Sequence, residues 1–235
     1  MADGPRVRVV SYNIHSLRDD RSALTEVVRA LAPDVLVVQE ALRWVDPRTW
    51  CIDLARRFGL ARAAGGLAAQ GNAVLTAAGV TVEQQRFVRY PLAFGHYPRG
   101  AVFLRCSVGR SVFVVAGSHL SPDAAMRLRQ ARIFKAALNS AVAEADAPAL
   151  VGIDMNETST GEAWLVVSEG LVDAAEATGQ AGVATFPTGG PVERIDAIFV
   201  DPRCSLLGYR AVDTPQSRAA SDHFPVLCDV ALPSA

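Results

Sequence analysis

The sequence has only one lysine and almost no net charge. It holds 235 residues, of which 23 are Lys or Arg and 24 are Asp or Glu, so the net charge is −1. Lys135 is the only lysine, which a base-composition bias of the source genome explains better than a functional preference for arginine. Proteins that bind nucleic acid extensively are usually strongly basic. The composition argues against that class and leaves room only for a local basic face.

Cysteine motifs and long apolar runs are also absent. The four cysteines are scattered without a Cys-x-x-Cys pair, which excludes a recognisable zinc site or disulfide framework. No run approaches the ~18 consecutive apolar residues of a membrane span, and the start of the sequence lacks the apolar stretch of a secretion signal. These absences predict a cytoplasmic protein with no integral membrane segment.

Material for a core is plentiful. Half of the residues are hydrophobic, and the mean hydropathy is +0.20. No linker, low-complexity segment or fixed-period repeat interrupts the chain, and large α/β sandwiches fill this length as one unit. We therefore predict a single domain over residues 1–235.

The segment Gly152–Asn156 is the most informative stretch. Ala149 to Ile153 is a short apolar run after Pro148 that reads as a strand, and polar residues follow it. Asp154 and Asn156 stand at positions i and i+2, so both side chains emerge on one side of the strand end. The carboxylate of Asp154 can accept a proton. The amide of Asn156 can donate a hydrogen bond to an anion but cannot take up a proton. An Asx turn that merely closes the strand is the simpler interpretation of this segment alone.

Other strands and helices follow from periodicity and from breakers. Antiparallel pairing is indicated between residues 71 and 117, where strands follow one another through short connections. The link from Arg89 to Arg99 is rich in Pro, Gly and aromatic residues and is predicted to be a loop. The predicted helices are Ser22–Leu31, Thr49–Phe58, Pro122–Ala143 and Glu162–Val167. The predicted strands are Arg6–Tyr12, Asp34–Gln39, Gly71–Leu75, Val80–Val88, Gly100–Cys106, Ser111–Gly117, Ala149–Ile153, Arg194–Val200, Ser205–Val212 and Pro225–Ala231.

Polar side chains recur where these strands end. Each one alone is weak evidence, but chance explains their recurrence poorly. They can bind a hard cation, transfer a proton or donate to a phosphate oxygen. The set comprises Asn13, His15, Glu40, Asn72, Ser118, His119, Asp154, Asn156, Arg194, Asp196, Asp222 and His223.

This set fits metal-assisted attack of water on a phosphoester. Glu40 offers a carboxylate ligand of the kind that Mg²⁺ prefers, and Asp154 is placed to orient the attacking water. Asp196 is expected to fix the tautomer of His223 and raise its basicity. The donors for the non-bridging phosphate oxygens would be Asn13, Asn156 and His119.

The motifs resemble those of the endonuclease/exonuclease/phosphatase superfamily, which includes DNase I. Each is a common short sequence, but their collinear order over nearly the whole chain is specific. The matching segments are Ser11–His15, Val38–Glu40, Gly71–Leu75, Ser118–Leu120, Gly152–Asn156, Arg194–Asp196 and Ser221–Pro225.

The resemblance implies a four-layer α/β/β/α sandwich of two mixed, mostly antiparallel sheets, with Mg²⁺ or Mn²⁺ as cofactor. It places Glu40, Asn13 and Asp222 at the metal. The catalytic residues would be Asp154, His223, Asp196, Asn156 and His119. We assign substrate binding to Asn72, Tyr97, Arg99 and Arg194.

Two positions depart from the family pattern. Some members carry a second carboxylate two residues after the first Asn, where this sequence has His15. The segment after Leu75 reads Thr76-Ala77-Ala78-Gly79 in place of the usual Ser-Arg/Lys-x-Pro. The first departure puts an additional metal ligand at that corner in doubt.

The sequence favours hydrolysis of a small or lipid-head-group phosphoester. A DNA or RNA nuclease is the first alternative, since Arg86, Arg89 and Arg99 flank the aromatic loop. A catalytically inactive binding protein on the same scaffold is the second. Retained charges at strand ends argue against it, because packing gives no reason to keep them. The physiological substrate, the number of metals and the oligomeric state are left open by the sequence.

Overall fold

The computed structural model describes residues 4–41, 47–92 and 94–234. Within these residues the helices are α1 Arg21–Leu31, α2 Pro47–Phe58, α3 Ala124–Ala145, α4 Glu162–Ser168, α5 Ala174–Ala177 and α6 Pro215–Ala220. The strands are β1 Arg6–Asn13, β2 Val35–Gln39, β3 Arg62–Gly66, β4 Asn72–Thr76, β5 Thr81–Arg89, β6 Gly100–Val108, β7 Ser111–His119, β8 Ala149–Asp154, β9 Val172–Asp173, β10 Asp196–Val200, β11 Ser205–Ala211 and β12 Val226–Ala231. Short 3₁₀ turns occupy His15–Leu17 and Leu67–Ala69.

The strands form two six-stranded mixed sheets. The first has the order β11-β12-β1-β2-β4-β3, and the second has the order β5-β6-β7-β8-β10-β9. Strands β1 and β2 are parallel, as are β7 and β8, while the other pairs are antiparallel. Each sheet therefore holds a parallel pair among antiparallel neighbours, as predicted.

Three apolar clusters divide the molecule into four layers. One fills the space between the sheets and includes Val37 and Val115. A second lies between the first sheet and helices α1 and α2, and a third lies between the second sheet and helices α3 and α4. Strands such as β2 are thus buried on both faces, which explains their continuous apolar sequence. The expected α/β/β/α sandwich is confirmed.

The predicted helices are found with ends shifted by a few residues. Helix α1 begins after Asp20, whose carboxylate accepts hydrogen bonds from the backbone of Ser22 and Ala23, and it ends at Ala32 in the left-handed region. Helix α3 begins after Asp123, which caps the backbone of Met126 in the same way. Among the described residues, no helix is long and apolar enough to cross a membrane.

Several short elements were not predicted from the sequence. Strand β3 reads Arg-Ala-Ala-Gly-Gly, a composition with little strand preference, and strand β9 has only two residues. Helices α5 and α6 are also short. These elements form because neighbouring strands or caps supply their hydrogen bonds, as in the capping box of α6 between Thr214 and Ser217.

Gly152, in strand β8, permits the two sheets to approach closely near the carboxyl end of that strand. A Cβ atom at this position would lie 2.9 Å from Cβ of Val37 and 3.0 Å from Cβ of Ser11, both on the facing sheet. Such distances are too short for a side chain without displacement of the neighbours. A glycine is therefore required at position 152 by the close packing of the two sheets, and not by a turn.

The parallel pairs of both sheets end at the same edge of the sandwich. Strands β1 and β2 pack across β8 and β7 of the other sheet. His119, at the end of β7, is in register with Asp154 at the end of β8. The start of β10 reaches the same place, since Asp196 pairs with Asp154. The carboxyl ends of four strands from two sheets thus border one edge of the sandwich, and the carboxyl ends of strands are where α/β proteins commonly bind ligands.

Candidate active site

Eight of the predicted residues converge at this edge. We call Asn13, His119, Asp154, Asp196 and His223 the buried cluster, because each is at most 5% exposed. We call Glu40 and Asp222 the rim carboxylates, because their side chains are 25% and 37% exposed. Asn156 joins the buried cluster from a half-buried position.

Asp154 is the centre of the buried cluster. Its Oδ2 atom accepts a hydrogen bond of 2.9 Å from Nδ2 of Asn13 and lies 3.0 Å from Nε2 of His119. The same oxygen lies 4.0 Å from Nε2 of His223. Its Oδ1 atom accepts a bond of 3.0 Å from the backbone N–H of Asn156. Strands β1, β7 and β8 therefore all present groups to one carboxylate.

Asp196 orients His223. Oδ2 of Asp196 lies 2.9 Å from Nδ1 of His223, so the ring donates through Nδ1 and turns Nε2 toward Asp154. Thr185 fixes the backbone at Asp196, because its hydroxyl oxygen accepts hydrogen bonds from the backbone N–H groups of Ile195 and Asp196. The ring of Phe186 packs at 4.7 Å from the imidazole. The tautomer expected from the sequence agrees with this geometry.

Burial and neighbouring charge shift the pKa values of the cluster. Burial raises the pKa of Asp154 to about 6, against the opposing effect of His223. Burial alone would lower the pKa of His223, but the charge and hydrogen bond of Asp196, with help from Asp154 and Asp222, raise it to about 10. At neutral pH the cluster therefore pairs a protonated imidazole with carboxylates, one of which loses its proton near neutrality.

His119 and Asn156 tie the ends of β7 and β8 together. Nδ2 of Asn156 donates a hydrogen bond of 2.9 Å to the carbonyl oxygen of Leu120 and lies 2.8 Å from Nε2 of His119. Both side chains thus contact the Asp154 region from the second sheet. Their amide and imidazole N–H groups are of the type that binds phosphate oxygens.

Each rim carboxylate lies close to the turn that follows β1. Ser16 donates a hydrogen bond of 3.0 Å from Oγ to Oε2 of Glu40. The preceding residue, His15, places Nε2 3.7 Å from Oδ2 of Asp222. Glu40 also faces the buried cluster, since its Oε1 lies 3.9 Å from Nδ1 of His119.

Strained backbone is concentrated at the same edge. His15, Ser16 and Leu17 have φ values of 44°, 53° and 56°, and Glu40 and Asn156 have φ values of 56° and 50°. These left-handed conformations are uncommon outside glycine and cost about 1 kcal/mol or more each. Such strain commonly marks functional sites, where the surrounding structure holds it in place.

The donor set at the rim fits a divalent cation. Hard cations such as Mg²⁺ take carboxylate and amide oxygens and keep several positions for water and substrate. Glu40 and Asp222 offer partly exposed carboxylates, and Asn13 offers its Oδ1, which accepts one hydrogen bond from the backbone of His15.

A second group of ligand atoms comes from Asp154, Asp196 and His223, which lie within 4.8 Å of one another. These atoms are buried and already hydrogen-bonded among themselves and to Asn13. A metal ion bound by this group would compete with those hydrogen bonds.

Two of the four residues assigned to substrate binding are engaged in contacts with other parts of the protein. Asn72 donates both amide hydrogens to the backbone carbonyls of Ala69 and Gly100. Arg194 binds Asp173 and the carbonyl of Ala181, and its guanidinium stacks on Trp164. These contacts show that Asn72 and Arg194 stabilise the surrounding structure.

Tyr97 and Arg99 lie in the loop between β5 and β6. Tyr97 is 76% exposed and Arg99 is half-buried. Residue Ala93 of this loop lies outside the described residues. The loop is attached beside the site, because Gly100 at its end pairs in the sheet near Ser118 and His119. Substrate binding by these four residues stays a prediction.

Sequence reasoning missed the residues that hold the cluster in place. Ser221 donates a hydrogen bond to the backbone oxygen of Asn13. Arg127 binds Glu157 after β8 and the carbonyls of Ser121 and Pro122 after β7. Ser221 lies in the Ser221–Pro225 segment quoted above, but its partner Asn13 is 208 residues away, and Glu157 is 30 residues from Arg127. The sequence therefore does not signal these two contacts.

The family of the chain can now be stated. The sequence pattern described as the Endonuclease/Exonuclease/phosphatase family matches residues 10–223. The chain therefore belongs to this family, whose enzymes hydrolyse phosphoesters. No curated protein sequence matches it.

Solved structures share the fold. A mannosyl-6-phosphatase from Bacteroides thetaiotaomicron has 18% identity and a TM-score of 0.77, over 97% of this chain and 100% of the other. The human Nocturnin catalytic domain with a bound sulfate anion has 17% identity and a TM-score of 0.78, over 98% and 96%. Truncated TDP2 from Caenorhabditis elegans has 22% identity and a TM-score of 0.74, over 96% and 98%.

Proposed function

We propose that the protein is a divalent-metal-dependent hydrolase of small or lipid-head-group phosphoesters that uses in-line attack by water. The observation that carries the proposal is the pairing of the buried cluster around Asp154 with the two rim carboxylates. Phosphoryl transfer needs positioning and charge stabilisation more than covalent chemistry, and this arrangement offers both.

Asp154 acts on the water. A carboxylate whose pKa is raised to about 6 is mostly ionised at neutral pH and still basic enough to accept a proton. The hydrogen bonds from Asn13 and from the backbone of Asn156 fix its orientation. As the water oxygen bonds to phosphorus, the P–O bond to the leaving group on the opposite side breaks, and the proton of the attacking water passes to this carboxylate.

His223 acts on the phosphate. It is protonated at neutral pH because Asp196 stabilises the imidazolium. Its Nε2–H can donate to a non-bridging oxygen as negative charge develops. A preformed donor needs no reorganisation during the reaction. His119 and Asn156 would add donors from the second sheet by exchanging their present contacts with each other and with Leu120 for the substrate.

Glu40, Asp222 and Asn13 would hold the cation. When bound, a divalent ion supplies Lewis-acid stabilisation of the phosphoryl oxygens. The half-exposed positions of the two carboxylates leave room for water and substrate oxygens.

Surface charge favours a small substrate over a polynucleotide. Arg86, one of the arginines near the aromatic loop, is directed to Glu144 and Ser140 on α3. A nuclease must also hold backbone phosphates beyond the scissile bond, usually with clustered Lys and Arg. The fold shared with a mannosyl-6-phosphatase adds sugar phosphates to the substrates worth testing.

A substrate panel tests the proposal. Purified protein is assayed with Mg²⁺, Mn²⁺ or EDTA on p-nitrophenyl phosphate, bis-p-nitrophenyl phosphate, mannose 6-phosphate, phospholipid head-group esters, plasmid and abasic DNA, and RNA. Metal-dependent cleavage of the small esters supports the proposal, provided that Glu40→Gln loses it. Metal-dependent cleavage of DNA or RNA alone would replace it with the nuclease alternative. No cleavage in any arm, with metal binding absent, would favour a binding protein on the same scaffold.

A further inference from the structure

Large apolar side chains are exposed mainly at the edge of the sandwich that carries the candidate active site. Among the described residues nine such side chains are exposed, and six of them belong to the segments that lead into strands β4, β6 and β10. Single exposed apolar residues are normal on a protein surface, whereas a concentration of them at one edge indicates a binding surface. The six residues are Leu67, Leu92, Phe94, Tyr97, Val183 and Val192.

The loop between β5 and β6 is anchored beside the buried cluster. Strand β6 starts at Gly100, and the next residue, Ala101, pairs with Ser118, one residue before His119. The carbonyl oxygen of Gly100 also accepts hydrogen bonds from the side chains of Asn72 and Ser118. The loop therefore leaves the sheet at the same edge as the candidate active site.

Three apolar side chains of this loop face water. Leu92 is 63% exposed, Phe94 is fully exposed and Tyr97 is 76% exposed. Tyr90, at the root of the loop, is buried and forms a hydrogen bond of 2.7 Å with the hydroxyl of Ser118. The root is thus fixed to the sheet, while the three apolar side chains beyond it add nothing to the core. Their contact with water is unfavourable, so an apolar partner would gain from covering them.

A second apolar projection stands on the other side of the site. Val192 is 78% exposed, and its backbone N–H donates to the carbonyl oxygen of Phe186, whose ring packs on His223. Val192 precedes β10, and strands β7 and β8 lie between β6 and β10 in the sheet. Since neighbouring strands are ~4.8 Å apart, the starts of β6 and β10 are separated by ~14 Å. The ends of β7 and β8, with His119 and Asp154, therefore lie between the two projections.

The charge of the loop is basic. Residues 84–100 contain Arg86, Arg89 and Arg99 and no Asp or Glu. Arg86 is directed to Glu144 on α3, whereas Arg89 is exposed at the end of β5. Aromatic residues are enriched at membrane–water interfaces, and basic residues beside them attract anionic lipid head groups. The loop therefore combines the two features that favour a lipid surface.

A lipid bilayer suits this surface better than a folded protein does. A protein bound over both projections would cover the ends of β7 and β8 and close the site. A phospholipid bilayer would carry phosphoesters to the site in its own head groups. Binding at a bilayer interface depends on the apolar area that is buried and on attraction to anionic lipids, without a complementary folded surface.

We propose that Leu92, Phe94 and Tyr97 bind the surface of a phospholipid bilayer, with Arg89 attracted to anionic head groups and Val192 in contact on the other side of the site. In this position the ends of β7 and β8 face the head groups. The assignment of these head-group phosphoesters as the substrate rests on the proposed function, whereas the binding itself does not.

Sedimentation of the full chain with vesicles tests the surface without any measurement of activity. The wild type should bind vesicles of equal parts of phosphatidylcholine and phosphatidylserine. Phe94→Ala should weaken binding by ~10-fold, because the burial of one large apolar side chain changes a binding constant by about this factor or more. Phe94→Trp should retain binding, since Trp is well suited to the interface. Leu165→Ala, which removes a leucine that is 60% exposed on α4, is the matched control and should bind as the wild type does.

Two outcomes of this experiment would overturn the proposal. One is the absence of vesicle binding by the wild type, and the other is equal binding by the wild type and Phe94→Ala. A wild-type dimer that Phe94→Ala dissociates, without vesicle binding, would assign the surface to a second copy of the chain.

The lipid charge tests the role of Arg89. Arg89→Gln should weaken binding to the mixed vesicles by ~5-fold, about the effect of one basic residue close to an anionic surface. Binding to vesicles of phosphatidylcholine alone should stay unchanged. Arg110→Gln, in the turn between β6 and β7 at the opposite end of these strands, is the matched control. Equal effects of the two substitutions would contradict the attraction of Arg89 to anionic head groups.

Hydrolysis rates separate this inference from the proposed function. The rate on vesicle phospholipid, divided by the rate on bis-p-nitrophenyl phosphate in solution, should fall by ~10-fold in Phe94→Ala. An unchanged ratio would overturn the assignment of bilayer head groups as the substrate. A wild type that binds vesicles but hydrolyses neither ester would refute the proposed function and leave the surface. Metal-dependent hydrolysis of the soluble ester by a protein that binds no vesicles would do the reverse.

Discussion

The buried cluster and the rim carboxylates use the same chemical group in two ways. The side chains of Asp154 and Asp196 are 1% exposed and are enclosed by donors from several strands. Glu40 and Asp222 stand beside them but remain in contact with water. Burial raises the pKa of the Asp154 carboxyl and suits it to accept a proton, whereas contact with water leaves a carboxylate able to share a hydrated ion. In the proposed mechanism, the depth of a carboxylate at this edge therefore separates the base from the metal ligands.

The largest effect is expected from Asp154→Asn. The amide cannot accept the proton of the attacking water, so kcat should fall ~10³-fold, within the usual range for a general base. Mn²⁺ affinity should stay near that of the wild type, and excess metal should not restore activity. Steady-state kinetics and calorimetry measure both quantities, with Asp53→Asn as the surface control. Near-wild-type turnover would show that Asp154 is not the base.

Glu40→Gln should give a large loss that metal partly repairs. Removal of one carboxylate ligand is expected to weaken Mg²⁺ or Mn²⁺ binding by ~100-fold, since even the loss of a supporting group costs ~10–100-fold. The value of kcat/KM should fall in proportion at low metal and recover partly at high metal. Unchanged metal affinity by calorimetry would show that Glu40 is not a metal ligand. It would also contradict the proposal that the rim carboxylates bind metal while the buried carboxylates do not.

The protonated His223 should make stability depend on pH. Its pKa is raised in the folded protein, so its contribution is complete below the ordinary histidine value of about 6.5 and is lost as the pH rises toward about 10. Urea unfolding at pH 6, 8 and 10 should show a falling free energy of unfolding. The decline should be smaller in His223→Gln. An equal decline in both proteins would mean that His223 is not held as an imidazolium.

Gly152→Ala should disturb the buried cluster more than the rim. The new methyl group would press on Val37 and Ser11 across the sheets, at a cost of ~1–3 kcal/mol. Activity should fall because Asp154 lies two residues farther along β8. Gly189→Ala, where a methyl group meets no atom within 4 Å, is the control. Chemical denaturation gives the stability change, and a change below that of the control would contradict the close packing.

The smallest effect is expected in the loop outside both groups. Tyr97→Ala and Arg99→Ala should alter KM for different substrates by a few-fold while the metal affinity stays unchanged. The exposed Tyr97 should contribute less than ~0.5 kcal/mol to stability. Leu165→Ala, an exposed residue on α4, is the control. An unchanged substrate profile would exclude the loop from specificity.

Long periodic elements of the fold were predictable from the sequence. Strand β2 is a continuous apolar run, and helix α3 carries a sustained helical pattern, so both were predicted within a few residues. Strand β3 and helix α6 were not, because their sequences lack periodicity and their stability comes from neighbours. The burial of Lys135 could not be predicted either. Its ammonium donates to the carbonyls of Val167 and Glu169 at the end of α4, more than 30 residues away in sequence.

The sequence by itself determined which groups the site would contain. Polar residues directly after apolar strands, such as Glu40 and Asp154, are recognisable because strands bury their apolar residues and leave their ends free. Tertiary structure alone decided how deep each group lies and which groups touch. Asn13 meets Asp154 over 141 residues of sequence, and His223 meets Asp196 only because two sheets end at one edge. Burial and proximity set the pKa values of Asp154 and His223, and both arise from packing between distant segments.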